Sequence, residues 1–332
     1  MKAAILRAFG DPLSVEEVPE PVPGPDEVLL RVRAAGLCGS DLKVVSGKLP
    51  GVATPLIPGH EVAGELTDPV GELPAGTPVA AYVFSTCGTC PSCRRGEGTV
   101  CPQAQRIGFE RDGGLAEYIA VPRANVLPFS AELGFDRAAV SMDAVLTPWH
   151  AIRTRGNVQR GDRVLIVGVG GLGLHAVQVA KALGAHVAVM DPLASHRDAA
   201  LSLGADIAAA PDEAGLLKAW APDGIDVALE SSGQADGFRS ACELVRPAGR
   251  IVCCGYQPSR DYAVDSTRLA LAELMILGSR GGSIDDARDA LAAVGAGQLK
   301  PLLVGHGTLA DVNDMLEQLR SGAAVGRLAV DL

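Results

Sequence analysis

Residues 161–191 read "GDRVLIVGVGGLGLHAVQVAKALGAHVAVMD". An apolar run, "RVLIVG", leads into Gly168, Gly170, Gly171 and Gly173, spaced G-x-G-G-x-G. A helix-like stretch follows, then a second apolar run that ends on Asp191. Strand, glycine turn, helix and strand is the order of a dinucleotide-binding unit. The glycines let the backbone approach a pyrophosphate, and the helix N-terminus presents free N–H groups with positive partial charge. Asp191 stands where a carboxylate accepts hydrogen bonds from the adenosine ribose hydroxyls. The same carboxylate repels a 2′-phosphate, which predicts NAD rather than NADP. Arg197, further along, reads as a solvated arginine at a helix start.

Outward from this unit the texture repeats. The strand-like runs "IDVALESSG", "GRIVCCGY" and "LMILGSRGG" each follow a helical pattern. Strands alternating with helices predict a doubly wound parallel sheet, placed at residues 146–282. Upstream, short alternating runs such as "EVLLRVRAAG" and "GTPVAAYVF" are punctuated by Gly and Pro, the pattern of a small all-β domain. Beyond residue 282 come two amphipathic stretches, "SIDDARDALAAVGAG" and "LADVNDMLEQLRSG", and a last strand, "GRLAVDL". The fold class is therefore α/β, and 332 residues allow two domains.

The 48% hydrophobic and 20% charged content excludes a disordered chain. A net charge of −10 argues against nucleic acid or an anionic membrane as partner. The opening "MKAAILRAFGDPLSVEEVPE" turns charged too soon for a signal peptide. No apolar run reaches the length of a membrane span. A cytoplasmic location is expected, where clustered cysteines suggest metal rather than disulfides. Cys242, Cys253 and Cys254 sit in apolar surroundings and read as buried small hydrophobes.

Cys87, Cys90, Cys93 and Cys101 form such a cluster, in "CGTCPSCRRGEGTVC". Four thiolates at this spacing can close a tetrahedral shell around zinc, leaving no position for water or substrate. That predicts a structural site in a lobe at about residues 85–103. A second group is scattered: Cys38 in "GLCGSD", His60 and Glu61 in "PGHEVAG", Asp143 in "VSMDAVLTPWH". Singly, each has an ordinary reading as a core cysteine, a satisfied histidine or a helix N-cap. Spacing alone cannot join them.

Taken together, these segments resemble the zinc-dependent medium-chain alcohol dehydrogenases. "GLCGSD", "PGHEVAG", the four-cysteine lobe, "DGGLAEYIAVP", "GDRVLIVGVGGLGLHAVQVAK" and "LRSGAAVGR" occur in that family's order across the whole chain. The resemblance implies a GroES-like β-barrel catalytic domain, residues 1–145 with 283–332, interrupted by the NAD-binding Rossmann domain. It implies two zinc ions per chain, the catalytic one bound by Cys38, His60 and Asp143, with Glu61 a conditional ligand. Asp143 stands where the family commonly has a cysteine just before a helix. Hydride transfer between an alcohol, secondary or cyclic, and NAD would give a ketone or aldehyde. Ser40 matches the hydroxyl that accepts the alcohol proton, and Lys43 stands in place of a relay histidine. Lys43 serves equally well as a relay group or a surface charge. Thr147 matches a position packed on the nicotinamide, and Arg327 a pyrophosphate contact. Tyr256 and Phe109 are expected to face the substrate. A homodimer or homotetramer is the family's usual assembly. A carbonyl or iminium reductase on the same fold stays open as an alternative. A zinc-free quinone reductase type is opposed by the metal-capable residues.

Overall fold

The apolar run after Asp162 forms the strand Arg163–Val167, whose last four residues are buried. Such unbroken burial is what a parallel strand covered on both faces requires. In spatial order its sheet runs Ile207–Ala209, His186–Met190, Arg163–Val167, Ile225–Glu230, Val245–Cys253 and Met275–Gly278. Every pairing is parallel. Helices Gly173–Ala182, Ala194–Ser202, Ala214–Trp220 and Ala235–Leu244 alternate with the strands. Leu165, Ala188, Ala228, Ile251 and Phe238 belong to one apolar core. The expected doubly wound sheet is present.

These elements come from a computed structural model that describes residues 1–258 and 260–332. The chain divides into two units. The first comprises Met1–Leu146, Ser283–Gly297 and Pro301–Leu332; the second comprises Thr147–Gly282 and Gln298–Lys300.

The first unit is built on a long strand, Glu27–Leu37, largely alternating in burial along its first half. It pairs antiparallel with Glu61–Leu66, Tyr118–Pro122 and Arg327–Asp331. Pro78–Ala81 and Val126–Pro128 extend the sheet on one side, and Leu303–Gly307 lies outside Arg327–Asp331 on the other. Leu30, Leu37, Leu66, Leu115 and Met142 are among its fully buried core side chains. The two amphipathic stretches form helices Ile284–Gly295 and Val312–Ser321. Ser283 and Asp286 cap the first reciprocally, a capping box. Gly322 ends the second in the left-handed conformation that glycine adopts without penalty.

Two local features position the site. Gly36 lies directly opposite Glu61 in the strand register. A Cβ at Gly36 would overlap Glu61 Oε2 and stand 2.9 Å from Glu61 Cβ, so only glycine leaves room for that carboxylate. Second, the α-helix Phe135–Val140 widens into a π-helical segment, Ser141–Val145, that carries Asp143. Asp143 therefore lies inside a helical run and not just before one. The extra residue in a π turn re-aims a side chain, and such turns concentrate at functional sites. Among the described residues, no helix is long and apolar enough to cross a membrane.

Candidate active site

The first unit holds two groups of metal-capable side chains. In the lobe, Cys90 caps the short helix Pro91–Arg94, and its sulfur accepts the Cys93 N–H at 3.4 Å. Cys87 sulfur accepts the Cys90 N–H at 3.4 Å. Sulfur–sulfur separations are 3.9 Å for Cys87–Cys93, 3.8 Å for Cys90–Cys101 and 3.6 Å for Cys87–Cys101. A disulfide would need about 2.05 Å. The edge of a tetrahedron with Zn–S bonds of about 2.3 Å is roughly 3.75 Å, which these distances match. Backbone N–H groups of Thr89 and Cys90 bring the Cys87 thiol down to about 6, whereas burial pushes the Cys93 thiol up to about 11; a metal requires all four as thiolates. Four protein sulfurs complete the shell, so the lobe can bind a metal without offering a place for substrate.

Cys38, His60, Glu61 and Asp143 form the second group, with donor atoms all within 4.8 Å of one another. Cys38 Sγ is 3.4 Å and His60 Nε2 3.7 Å from Asp143 Oδ2. Tetrahedral edges for mixed S, N and O ligands are roughly 3.3–3.8 Å. Three donors from three segments thus converge as zinc ligands would, with a fourth position not supplied by them. Burial opposes a charge on His60, yet Asp41, Asp143 and Cys38 around it raise its pKa well above the ordinary imidazole value. Burial also lifts the Glu61 carboxyl to about 7, against the pull of Arg327. Arg327 is a cation already paired with two of these carboxylates, and a bound metal would add a second positive charge. Among the described residues Glu61 Oε2 is buried with no hydrogen-bond partner, which suits a carboxylate able to turn toward a metal.

Asp41 was not singled out by sequence, yet it organises this group. One oxygen accepts the Cys38 N–H at 2.8 Å, and the other lies 3.2 Å from His60 Nδ1. It is buried and closes a capping box at the start of helix Gly39–Val45. Holding the far nitrogen of a ligand histidine fixes the ring and its tautomer. Its signal was the acidic residue three positions after Cys38 in "CGSD", a capping spacing headed by an unusual cap residue.

Other expected residues are placed as follows. Arg327, expected against a pyrophosphate, is only 4% exposed and binds Glu61 at 2.9 Å and Asp143 at 3.1 Å. Cys38, Glu61 and Asp143 outweigh its burial and raise its pKa. Phe109, expected toward substrate, is buried against the His60 ring at 4.9 Å, with the Arg106 guanidinium 4.2 Å from its centroid. Ser40 donates its backbone N–H toward Cys38 sulfur at 3.5 Å. Lys43 is half-buried on the same helix, and burial lowers its pKa.

The second unit carries the glycine turn. Gly168 has φ +84°, and a Cβ there would stand 2.8 Å from Ser232 backbone nitrogen. A Cβ on Gly173 would overlap Gly168 carbonyl oxygen, while Gly170 faces open space. Tight turn, open approach and close helix packing are the three tasks a dinucleotide turn sets its glycines. Asp191 is buried; its carboxylate accepts the N–H groups of Val169 at 2.8 Å and Leu193 at 2.9 Å. His196 Nδ1 lies 3.3 Å from it. Arg197 is not simply solvated: it donates to the carbonyls of Asp191 and Pro192. Thr147 is buried in Leu146–Trp149, and Tyr256 is exposed after the strand Val245–Cys253. Cys242 is buried as expected, whereas Cys253 and Cys254 are only half-buried. His175, which sequence did not flag, is buried with Nδ1 2.6 Å from Gly171 carbonyl oxygen, bracing the turn.

Residues 24–131 match the family model of the alcohol dehydrogenase GroES-like domain, and residues 171–296 that of the zinc-binding dehydrogenases. An alcohol dehydrogenase from Geobacillus stearothermophilus is 33% identical over 337 residues, 99% of each chain. A D-arabinose 1-dehydrogenase (NADP(+)) from Saccharolobus solfataricus is 32% identical, across 99% of this chain and 97% of its own. Among solved structures, the cobalt- and zinc-bound thermostable alcohol dehydrogenase from Pyrobaculum aerophilum superposes with a TM-score of 0.91. It is 33% identical and matches all of this chain and 99% of its own.

Proposed function

Given that the chain belongs to the zinc-binding alcohol dehydrogenases of the medium-chain family, we propose that it is an NAD-dependent alcohol dehydrogenase. It moves a hydride reversibly between a secondary or cyclic alcohol and NAD, giving a ketone. The observation that carries this reading is the convergence of buried Cys38 and His60 with half-buried Asp143, beside a Glu61 oxygen that has no partner among the described residues.

Cys38, His60 and Asp143 would hold the catalytic zinc, and Cys87, Cys90, Cys93 and Cys101 the structural one. Bound zinc supplies Lewis acidity, lowering the pKa of an alcohol hydroxyl. Asp41 keeps His60 oriented as a ligand. Arg327 holds one Glu61 oxygen and leaves the other free to turn. Ser40 takes the proton from the alcohol, and Lys43 passes it on. Gly168, Gly170, Gly171 and Gly173 seat the pyrophosphate, and Asp191 binds the adenosine ribose and disfavours a 2′-phosphate.

The relative from Saccharolobus solfataricus is named for NADP(+), so the test measures both cofactors. Purified protein is assayed for NAD and NADP reduction across primary, secondary, cyclic and polyol alcohols, with zinc counted per chain. Two zincs and faster turnover with NAD on secondary or cyclic alcohols are expected. One zinc or none, or equal turnover with NADP, would defeat the corresponding part of the proposal.

A further inference from the structure

Glu230 ends the strand Ile225–Glu230 and is fully buried, a place where a carboxylate is costly unless hydrogen-bonded. Neutral donors converge on it. Oε1 accepts the N–H of Ser232 at 2.9 Å and of Gly233 at 3.0 Å, and the Ser232 hydroxyl donates to the same oxygen. The Tyr262 hydroxyl lies 3.1 Å from Oε2 and 3.0 Å from the Gly255 carbonyl oxygen. The Tyr262 ring is itself fixed by stacking on Phe238, with centroids 4.6 Å apart. The main-chain carbonyl of Glu230 accepts the N–H groups of Cys254 and Gly255, both at 2.9 Å.

One residue thus binds two loops, 231–233 and 254–256. They meet backbone to backbone. A Cβ on Gly255 would overlap the Gly233 amide and stand 2.6 Å from the Ser231 carbonyl carbon. A Cβ on Gly233 would stand 3.0 Å from the Tyr256 backbone. On the other side, the Ser231 hydroxyl donates to Gly168 carbonyl oxygen at 2.6 Å, joining the pair of loops to the glycine turn.

The strand order reverses between Arg163–Val167 and Ile225–Glu230, and ligands of such sheets bind outside the carboxyl ends at that reversal. Each half of the sheet receives one mononucleotide. The half that ends in Asp191 takes the adenosine. The half that begins with Ile225–Glu230 is left for the nicotinamide nucleotide.

We propose that Glu230 is a positioning residue for the nicotinamide half of the cofactor. With Tyr262 it holds the backbone of 231–233 and 254–256 in the shape that receives the nicotinamide ring and its carboxamide. It acts through those backbone groups and touches no reacting atom. The proposal rests on the dinucleotide reading above.

The test compares NADH with ADP-ribose, which lacks the nicotinamide ring. Both dissociation constants are measured by calorimetry on zinc-loaded wild type, Glu230→Gln and Tyr262→Phe, with KM values for NAD and for alcohol alongside. Glutamine keeps the size but turns an N–H₂ group toward donors that need an acceptor. Glu230→Gln is expected to weaken NADH about tenfold and raise the KM for NAD in step. ADP-ribose affinity should stay within about twofold, with alcohol KM and zinc content unchanged. Tyr262→Phe should show the same split at about three- to fivefold, and it carries the test alone if Glu230→Gln does not fold. Equal losses of NADH and ADP-ribose, or unchanged NADH binding in both variants, overturn the proposal. Wild-type protein that binds no NADH overturns the dinucleotide reading and this proposal with it.

Discussion

Removing Asp41 should loosen the metal at Cys38, His60 and Asp143 while leaving the four-cysteine lobe intact. Asp41→Ala takes away two acceptors at once, at the Cys38 N–H and at His60 Nδ1. Both donors lie in buried surroundings, and each left without a partner costs about 1–3 kcal/mol of stability. Loss of a carboxylate behind a ligand histidine typically weakens metal affinity about 10–100-fold, or about 1.4–2.7 kcal/mol. Asp41→Asn keeps one acceptor oxygen and should fall between wild type and Asp41→Ala. The assay is zinc per chain by mass spectrometry, followed by the rate of zinc transfer to a coloured chelator. Two phases are expected in wild type, and only the catalytic phase should accelerate in the variants. Identical transfer kinetics for Asp41→Ala and wild type would refute the idea that Asp41 orients His60. Acceleration of both phases would show general loosening of the first unit instead.

Four further outcomes follow from other residues. Gly36→Ala places a methyl group against Glu61 Cβ at 2.9 Å, so it should destabilise by about 1–3 kcal/mol, read as a lower Tm. An unchanged Tm would mean that the two strands separate more easily than their register implies. Cys101→Ser should remove one of two zincs and lower thermal stability, and retention of both would disprove the sulfur shell. Asp191→Ala should cut the preference for NAD over NADP while exposing the Val169 and Leu193 N–H groups it now binds. A ratio equal to wild type would take Asp191 out of cofactor selection. Lys43 accepts a proton only when neutral, and burial lowers its pKa. Alcohol oxidation should therefore climb as pH rises through that lowered value, and Lys43→Met should flatten the climb; an unaltered profile would exclude Lys43 from the relay.

The parts of the site that were legible in sequence were those whose chemistry is local. The glycine turn announces itself because strand, turn, helix and acidic residue fall within one short stretch, and the lobe because four cysteines share one loop. Cys38 and Asp143, 105 positions apart, carry no joint signal until a known family supplies it. The π segment under Asp143 adds one residue to a helical turn, too small a change for periodicity to register. Gly36 looked like any strand glycine, because its reason lies across the register in Glu61. Glu230 stands inside the run "IDVALESSG" with nothing to set it apart from any acidic residue. Its burial and its hold on two loops exist only in three dimensions. For Arg327 the resemblance implied a pyrophosphate contact, and its pairing with Glu61 and Asp143 is a further fact that only three dimensions carry.

That arginine also imposes an order in time. Arg327 is 266 residues downstream of the glutamate it binds. At about 5–20 residues per second, a ribosome needs roughly 13–50 seconds to travel from one to the other. For the last 184 residues of that stretch, from Asp143 onward, Cys38, His60, Glu61 and Asp143 have all been made while Arg327 has not. The strand Arg327–Asp331 then joins Glu27–Leu37 and delivers the guanidinium in the same movement. A newly made chain thus passes through a period in which the side chains proposed to hold zinc meet the cell's metal ions before the arginine that restrains two of their carboxylates arrives.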